Sequence, residues 1–155
     1  MRHLIWVTLI VLGISAGTTA AASDNGAVGT ARDAQIMVER GILVFEDERA
    51  ANAFALINMG LPDFRHHELY LFVIDATDGL LVANALHPDQ VGTDVLGLQD
   101  VDGTPFGRNI VEQATTHGVW VDYKYENPMT GQVEPKSSWV VLHDGYVFGC
   151  GIYNP

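Results

Sequence analysis

Only two lysines occur in the 155 residues, and one of them, Lys136, lies among aromatic side chains. Trp120, Tyr123 and Tyr125 precede the turn Asn127-Pro128-Met129-Thr130-Gly131, and Lys136 and Trp139 follow it. Aromatic walls around a fixed cationic donor suit a small organic anion, because the rings exclude water and the ammonium supplies counter-charge. A purely structural reading of the same residues makes the aromatics core and Lys136 a solvated hairpin lysine. Side chains of a strand alternate between faces. Tyr123 therefore groups with Tyr125, and Lys136 with Ser138, whereas Trp120, three positions from Tyr123, points to the other side.

Other constellations carry less chemistry. The chain has no G-x-S-x-G, H-E-x-x-H, P-loop or dinucleotide fingerprint. His66, His67, His87, His117 and His143 lack the tight spacing that metal ligation favours. Asp75-Ala76-Thr77-Asp78-Gly79 begins like a calcium loop, but Thr77 and Gly79 stand where further acids are needed, so it reads as a turn. His87 with Asp75, Asp100, Asp102 or Asp122 is an acid–base pair that the residues leave open. Cys150 is the sole cysteine, so no internal disulfide forms, and its strand context suits a buried thiol. The expectation is a binding protein and not an enzyme, with no metal and no cofactor.

The elements that must position these residues follow from periodicity. Thr30-Ala31-Arg32-Asp33 fits a capping box. Ala34, Met37, Val38, Gly41, Ile42 and Phe45 then recur at three- and four-residue steps, the mark of an amphipathic helix. Glu46-Asp47-Glu48-Arg49 interrupts the pattern and Ala53, Phe54 and Ile57 resume it, giving one kinked helix or a long helix and a short one. Gly60 and Pro62 end it. Leu69–Ile74 and Leu80–Asn84 read as a hairpin. Thr104-Pro105 opens a helix to about Thr116, stopped by Gly118. Val119–Tyr125, Lys136–Leu142 and Tyr146–Tyr153 are three further strands, the last two joined at Asp144-Gly145. Helices followed by hairpins with short turns predict the α+β class, an antiparallel sheet with helices on one face.

The N-terminus reads as an export signal. Met1-Arg2-His3 is basic, Leu4–Ile14 is apolar but too short to span a bilayer comfortably, and small residues follow through Ala20-Ala21-Ala22. Residues 1–22 form the leader, with cleavage before Ser23, and residues 23–31 a flexible lead-in to one domain over 32–155. Retention of the leader as a membrane anchor is the alternative. The formal charge of −11 repels phosphate backbones and anionic lipid heads, which argues against nucleic acid as a partner. The same acidity serves solubility and would attract a cation or a basic protein.

Several blocks, in order, resemble a known family. They are Leu69–Asp75 with its turn through Gly79, His87-Pro88-Asp89-Gln90-Val91-Gly92-Thr93-Asp94, Leu98–Phe106, Gly118–Tyr125, Asn127–Gly131 with Glu134–Val140, and Gly149–Tyr153. Together they are similar to the single Cache domain, a PAS-like extracellular sensor module, from about Arg32 to Tyr153. The resemblance implies a long N-terminal helix over a five- or six-stranded antiparallel sheet, with a ligand pocket on the sheet's other side. It also implies a short carboxylate as ligand, and Lys136, Tyr123, Trp120 and Arg108 at the pocket with His87 on the adjacent loop. Tyr125 and Trp139 join them from the aromatic reading.

Such receptors usually continue into a membrane span and a signalling module, whereas this sequence stops at Pro155. The expected function is therefore an exported sensor domain, periplasmic or secreted, that binds a short organic acid and acts through a partner such as a membrane sensor kinase or chemoreceptor. A protein-interaction module without a ligand and an unrecognised hydrolase are the alternatives.

Overall fold

A computed structural model of the protein describes residues 28–153. The expected leader, residues 1–22, and most of the lead-in lie outside them. Helix α1 spans Ala31–Asp47, and its N-terminus is the capping box read from the sequence: the Thr30 hydroxyl accepts from the Asp33 N–H and the Asp33 carboxylate accepts from the Thr30 N–H. Extended backbone at Glu48 and Arg49 ends α1, and a separate helix α2 runs over Ala50–Asn58. Of the two expected forms, the long helix followed by a short one is therefore correct.

The strands are β1 (Arg65–His66), β2 (Leu69–Asp75), β3 (Leu81–Asn84), β4 (Val119–Glu126), β5 (Val133–His143) and β6 (Tyr146–Tyr153). All pair antiparallel in one six-stranded sheet ordered β1-β2-β6-β5-β4, with β3 also on β2. Asp144 and Gly145 both have positive φ, at 49° and 84°. That is the conformation a two-residue hairpin turn of matching twist requires, and it sets the β5–β6 register. Helix α3 (Phe106–Gln113) and a 3-10 turn at Pro88–Gln90 complete the structure.

The two faces of the sheet have separate tasks. α1 covers one face. The Met37 sulfur lies 3.6 Å from Cys150 Sγ, Phe45 packs on Phe148 and Tyr146, and Gly41 admits Leu71 where a Cβ would stand 2.4 Å from a leucine methyl. On the other face lie Tyr70, Phe72, Val121, Tyr123, Lys136, Ser138 and Tyr153, joined by the cross-strand register. Here the structure corrects the expectation that all helices share one face: α3 lies over the second face, with Phe106 stacked on Tyr123 at 4.7 Å between ring centroids.

α3 is also shorter than expected and is not capped by Thr104. The Thr104 N–H is held by Asp100 Oδ1, so the chain is still turning at Thr104 and the helix begins at Phe106. At the other end, Thr115 leaves the helix to form a bridge with Val141.

Candidate ligand-binding site

Lys136 is the largest fully buried side chain of the described residues, 2 % exposed. It is the fourth residue of β5, opposite Tyr123 of β4 and Tyr153 of β6. Its stem crosses β6 at Gly151, where a Cβ would stand 2.3 Å from Lys136 Cε. Nζ donates to Tyr70 Oη at 2.8 Å and lies 4.1 Å from the Tyr70 ring centroid, 4.9 Å from that of Tyr153 and 5.1 Å from that of Tyr125. Ring faces attract a cation, and more strongly when it is desolvated.

No carboxylate pairs with this ammonium among the described residues. Burial brings its pKa down to about 7, opposed by the Cys150 sulfur. Burial likewise pushes the Cys150 thiol up to about 12 and the Tyr70 phenol well above its ordinary value. The surroundings thus keep the phenols and the thiol around Lys136 neutral near pH 7 and disfavour the charged form of the lysine.

A cavity of about 60 Å³ opens beside this cluster, between the sheet and α3. Tyr70, Tyr123 and Tyr125 form the wall nearest Lys136. Phe72, Ile74, Leu81, Val95, Leu98, Phe106 and Ile110 make the rest apolar, and Asn84 and Gln90 add two carboxamides. At roughly 10–15 Å³ for each water-sized centre, the space holds about four to six non-hydrogen atoms. Wider grooves elsewhere, beside Phe45, Glu46 and His143 (about 720 Å³) and beside Asp33 and Arg40 (about 320 Å³), are bordered by exposed charged side chains. Neither touches a desolvated unpaired charge.

Two structural devices shape the cavity. Gly107 of α3 lies so close to the chain at Val95 that a Cβ would meet the Val95 carbonyl oxygen at 1.8 Å. The loop before α3 is tied to the free edge of β4, where Asp100 Oδ2 accepts the Lys124 N–H at 3.0 Å and Asp102 pairs with the Lys124 ammonium at 2.7 Å. Against a desolvation that would raise it, hydrogen bonds from the Lys124, Thr104 and Asp102 N–H groups hold the Asp100 carboxyl below its usual range.

The residues named from the sequence divide cleanly. Lys136, Tyr123 and Tyr125 come together on one face, as strand parity required. The structure adds two details of their placement. Lys136 stands behind the rings of Tyr70 and Tyr125 and does not itself line the cavity, and the Tyr123 hydroxyl is engaged with Ser138 Oγ at 2.9 Å, leaving mainly its ring as wall. His87 lies beside the site, its ring 6.3 Å from that of Tyr70.

Trp120, Trp139 and Arg108 do not reach this cavity. Trp120 and Trp139 pair across β4 and β5 on the α1 face, 5.4 Å between centroids. Arg108 projects from the outer surface of α3 and meets Glu112. The acid–base pair open to His87 gains no support: among the described residues the four carboxylates considered contact backbone N–H groups, Lys124 or Ser137, and none contacts His87. Tyr70, Tyr153, Asn84 and Gln90 were not singled out from the sequence. Parity along Tyr70-Phe72-Ile74 was the available signal for Tyr70, and a buried lysine's need for hydroxyl partners the other.

Comparison with known proteins follows this geometry. A relative, the sensor histidine kinase MctS of Rhizobium johnstonii, is 37% identical over 113 residues, covering 70% of this chain and 23% of that protein. The chain thus spans about a quarter of that relative's length. Among solved structures, the periplasmic sensor domain of a chemotaxis protein superposes with a TM-score of 0.59 at 25% identity, covering 77% of this chain and 86% of that one. A Cache chemosensory domain studied for carboxylic acid recognition superposes with a TM-score of 0.65 at 19% identity, covering 80% and 92%. With the family profile of single Cache domain 2 matching residues 35–154, nearly all of the described fold, this chain belongs to the single Cache domain 2 family.

Proposed function

We propose that the protein is an extracytoplasmic sensor domain that binds a short organic acid in the cavity between the sheet and α3. The observation that carries this reading is the fully buried Lys136, which has hydroxyl and ring partners but no carboxylate. Burying an ammonium without a counter-ion is costly, and a carboxylate ligand supplies that counter-ion. Tyr70 is the connecting group. Its oxygen accepts from Nζ, its phenol is also hydrogen-bonded with that of Tyr153, and its ring lines the cavity, so it couples the buried charge to the ligand space. The cavity's volume limits the ligand to a short chain, and its apolar lining accepts the carbon skeleton.

Carboxylic acid recognition by a Cache chemosensory domain of the same fold supports the ligand class. The leader motif supports export to the periplasm or beyond, as does the periplasmic sensor domain among the structural relatives. The output passes through a partner, a membrane sensor kinase or chemoreceptor, in line with the relative MctS. The cavity serves binding and not catalysis.

The direct test is thermal unfolding with a panel of two- to four-carbon acids. A ligand at about 100 times its dissociation constant adds roughly 2.7 kcal/mol, which raises the midpoint by about 5–10 °C in a domain of this size. Lys136→Met should abolish the shift while remaining folded. A panel without any shift on well-folded wild-type protein overturns the reading.

A further inference from the structure

Asn84 is a polar residue that the fold leaves half used. Only 5 % exposed, it lines the cavity from β3. Its Oδ1 accepts two backbone hydrogen bonds, from Leu86 N at 3.0 Å and His87 N at 2.9 Å, while its own backbone N–H is held by Asn58 Oδ1 at 2.8 Å. The two bonds to Oδ1 fix the carboxamide and its O/N assignment, and the third holds the backbone that carries it. Nδ2, with two N–H donors, meets no acceptor among the described residues.

Gln90 brings a second carboxamide to the same cavity from the Pro88–Gln90 turn, also without a side-chain hydrogen bond among the described residues. Asn84 pairs with Phe72, two residues along β2 from Tyr70 and one strand farther from Lys136. That separation is roughly 7 Å along the strand and about 5 Å across it. The cationic end and the carboxamide end of the cavity are therefore distinct.

We infer that Asn84 reads a second oxygen on the ligand, so that the cavity selects a short acid bearing a hydroxyl or oxo group over the unsubstituted acid. This rests on the short-acid reading above and adds to it a specificity residue. No fully buried side-chain nitrogen or oxygen lacks a partner among the described residues, so Nδ2 is accessible from the cavity, and an unsubstituted carbon chain placed against it would cover the donor without replacing its hydrogen bonds to water. A ligand oxygen there removes the penalty. Sites built to hydrogen-bond a substrate oxygen discriminate far more strongly against its absence than apolar pockets do against an added methylene.

The test is calorimetric binding of propionate, lactate and pyruvate, three-carbon acids that differ in the group at the second carbon, to wild-type, Asn84→Asp and Gln90→Leu protein. Asn84→Asp keeps the acceptor for Leu86 and His87 and removes the donor. Wild-type protein should bind lactate or pyruvate at least about tenfold more tightly than propionate. In Asn84→Asp that ratio should fall to about one, whatever the absolute affinity.

Equal or tighter binding of propionate by the wild type overturns the inference and leaves the short-acid reading standing. So does an unchanged ratio in a folded Asn84→Asp. If that variant does not fold, the wild-type ratio decides alone, and Gln90→Leu reports whether the second carboxamide contributes. Binding of none of the three acids overturns both readings.

Discussion

At the scale of residues, Lys136 decides the behaviour of the site. Burial brings its pKa to about 7 from an ordinary value of 10.5. In the unfolded chain the amine stays protonated up to about pH 10, so between about pH 7 and 10 the unfolded state binds more protons than the folded one. Stability of the ligand-free protein should therefore rise with pH across that window. Lys136→Met should flatten the rise and stabilise the ligand-free protein near pH 7, since an apolar chain of similar length avoids the charge burial. Chemical denaturation at several pH values checks both.

Ligand affinity has the opposite slope. A carboxylate favours the ammonium, so binding takes up a proton wherever the free site is neutral. Affinity for a short acid should be highest between about pH 5 and 7. It should then fall by up to about tenfold per unit above pH 7, with proton uptake seen by calorimetry in buffers of different ionisation enthalpy. Gly151→Ala tests the same centre sterically. Its methyl would collide with Lys136 Cε and Ser138 Oγ, and overpacking of this kind costs about 1–3 kcal/mol. Reduced stability together with weaker binding is expected.

At the scale of elements, α3 and the loop before it form one wall of the cavity and the sheet forms the other. α3 is two turns long, has no side-chain cap, and is held by the Phe106 stack on Tyr123, by Ile110 and by the close approach of Gly107 to Val95. Gly107→Ala should lever α3 away from Val95 and enlarge the cavity. Longer acids should gain affinity relative to shorter ones in a calorimetric series of two- to six-carbon acids, at a cost of about 1–3 kcal/mol in stability. α1 belongs to the opposite face, and its terminus is purely structural. Thr30→Ala should cost about 1 kcal/mol through loss of the capping box and leave the dissociation constant of a bound acid unchanged.

At the scale of the whole molecule, one sheet keeps an apolar helix-covered face apart from a ligand face built of tyrosines around a lysine. The separation predicts a contrast between two aromatic substitutions. Tyr70→Phe removes the hydroxyl that Nζ donates to and should weaken acid binding by at least about tenfold, the size of one charge-assisted hydrogen bond. Trp139→Phe acts on the α1 face and should change stability but alter affinity by less than about twofold. Among the described residues no helix is long and apolar enough to cross a membrane. Under the proposed function, a change at α3 or in the Asp100–Lys124 tie is what a partner would read.

Periodicity and turn chemistry alone determined α1 with its capping box, an interruption within Glu46–Arg49, the hairpins and the grouping of Tyr123 with Tyr125 and of Lys136 with Ser138, while the structure decided that the interruption is a break between two helices. These are local properties: a 3.6- or 2-residue period, an interrupted apolar face or an Asp-Gly turn is written in neighbouring residues. Tertiary structure alone decided which face each group joined and what closed it. Strand alternation set Trp120 opposite Tyr123, but only the packing of the helices decided that the face Trp120 shares with Trp139 is the one α1 covers. Tyr70 lies 66 positions from Lys136 and meets it only because β6 inserts between β2 and β5, with Gly151 leaving room for the lysine stem. Thr104 looked like a cap because Pro105 follows it, yet Asp100 had already taken its N–H. The neutral pull on Lys136 is a product of burial. Burial depends on contacts between segments far apart in the chain, which no single window of sequence contains.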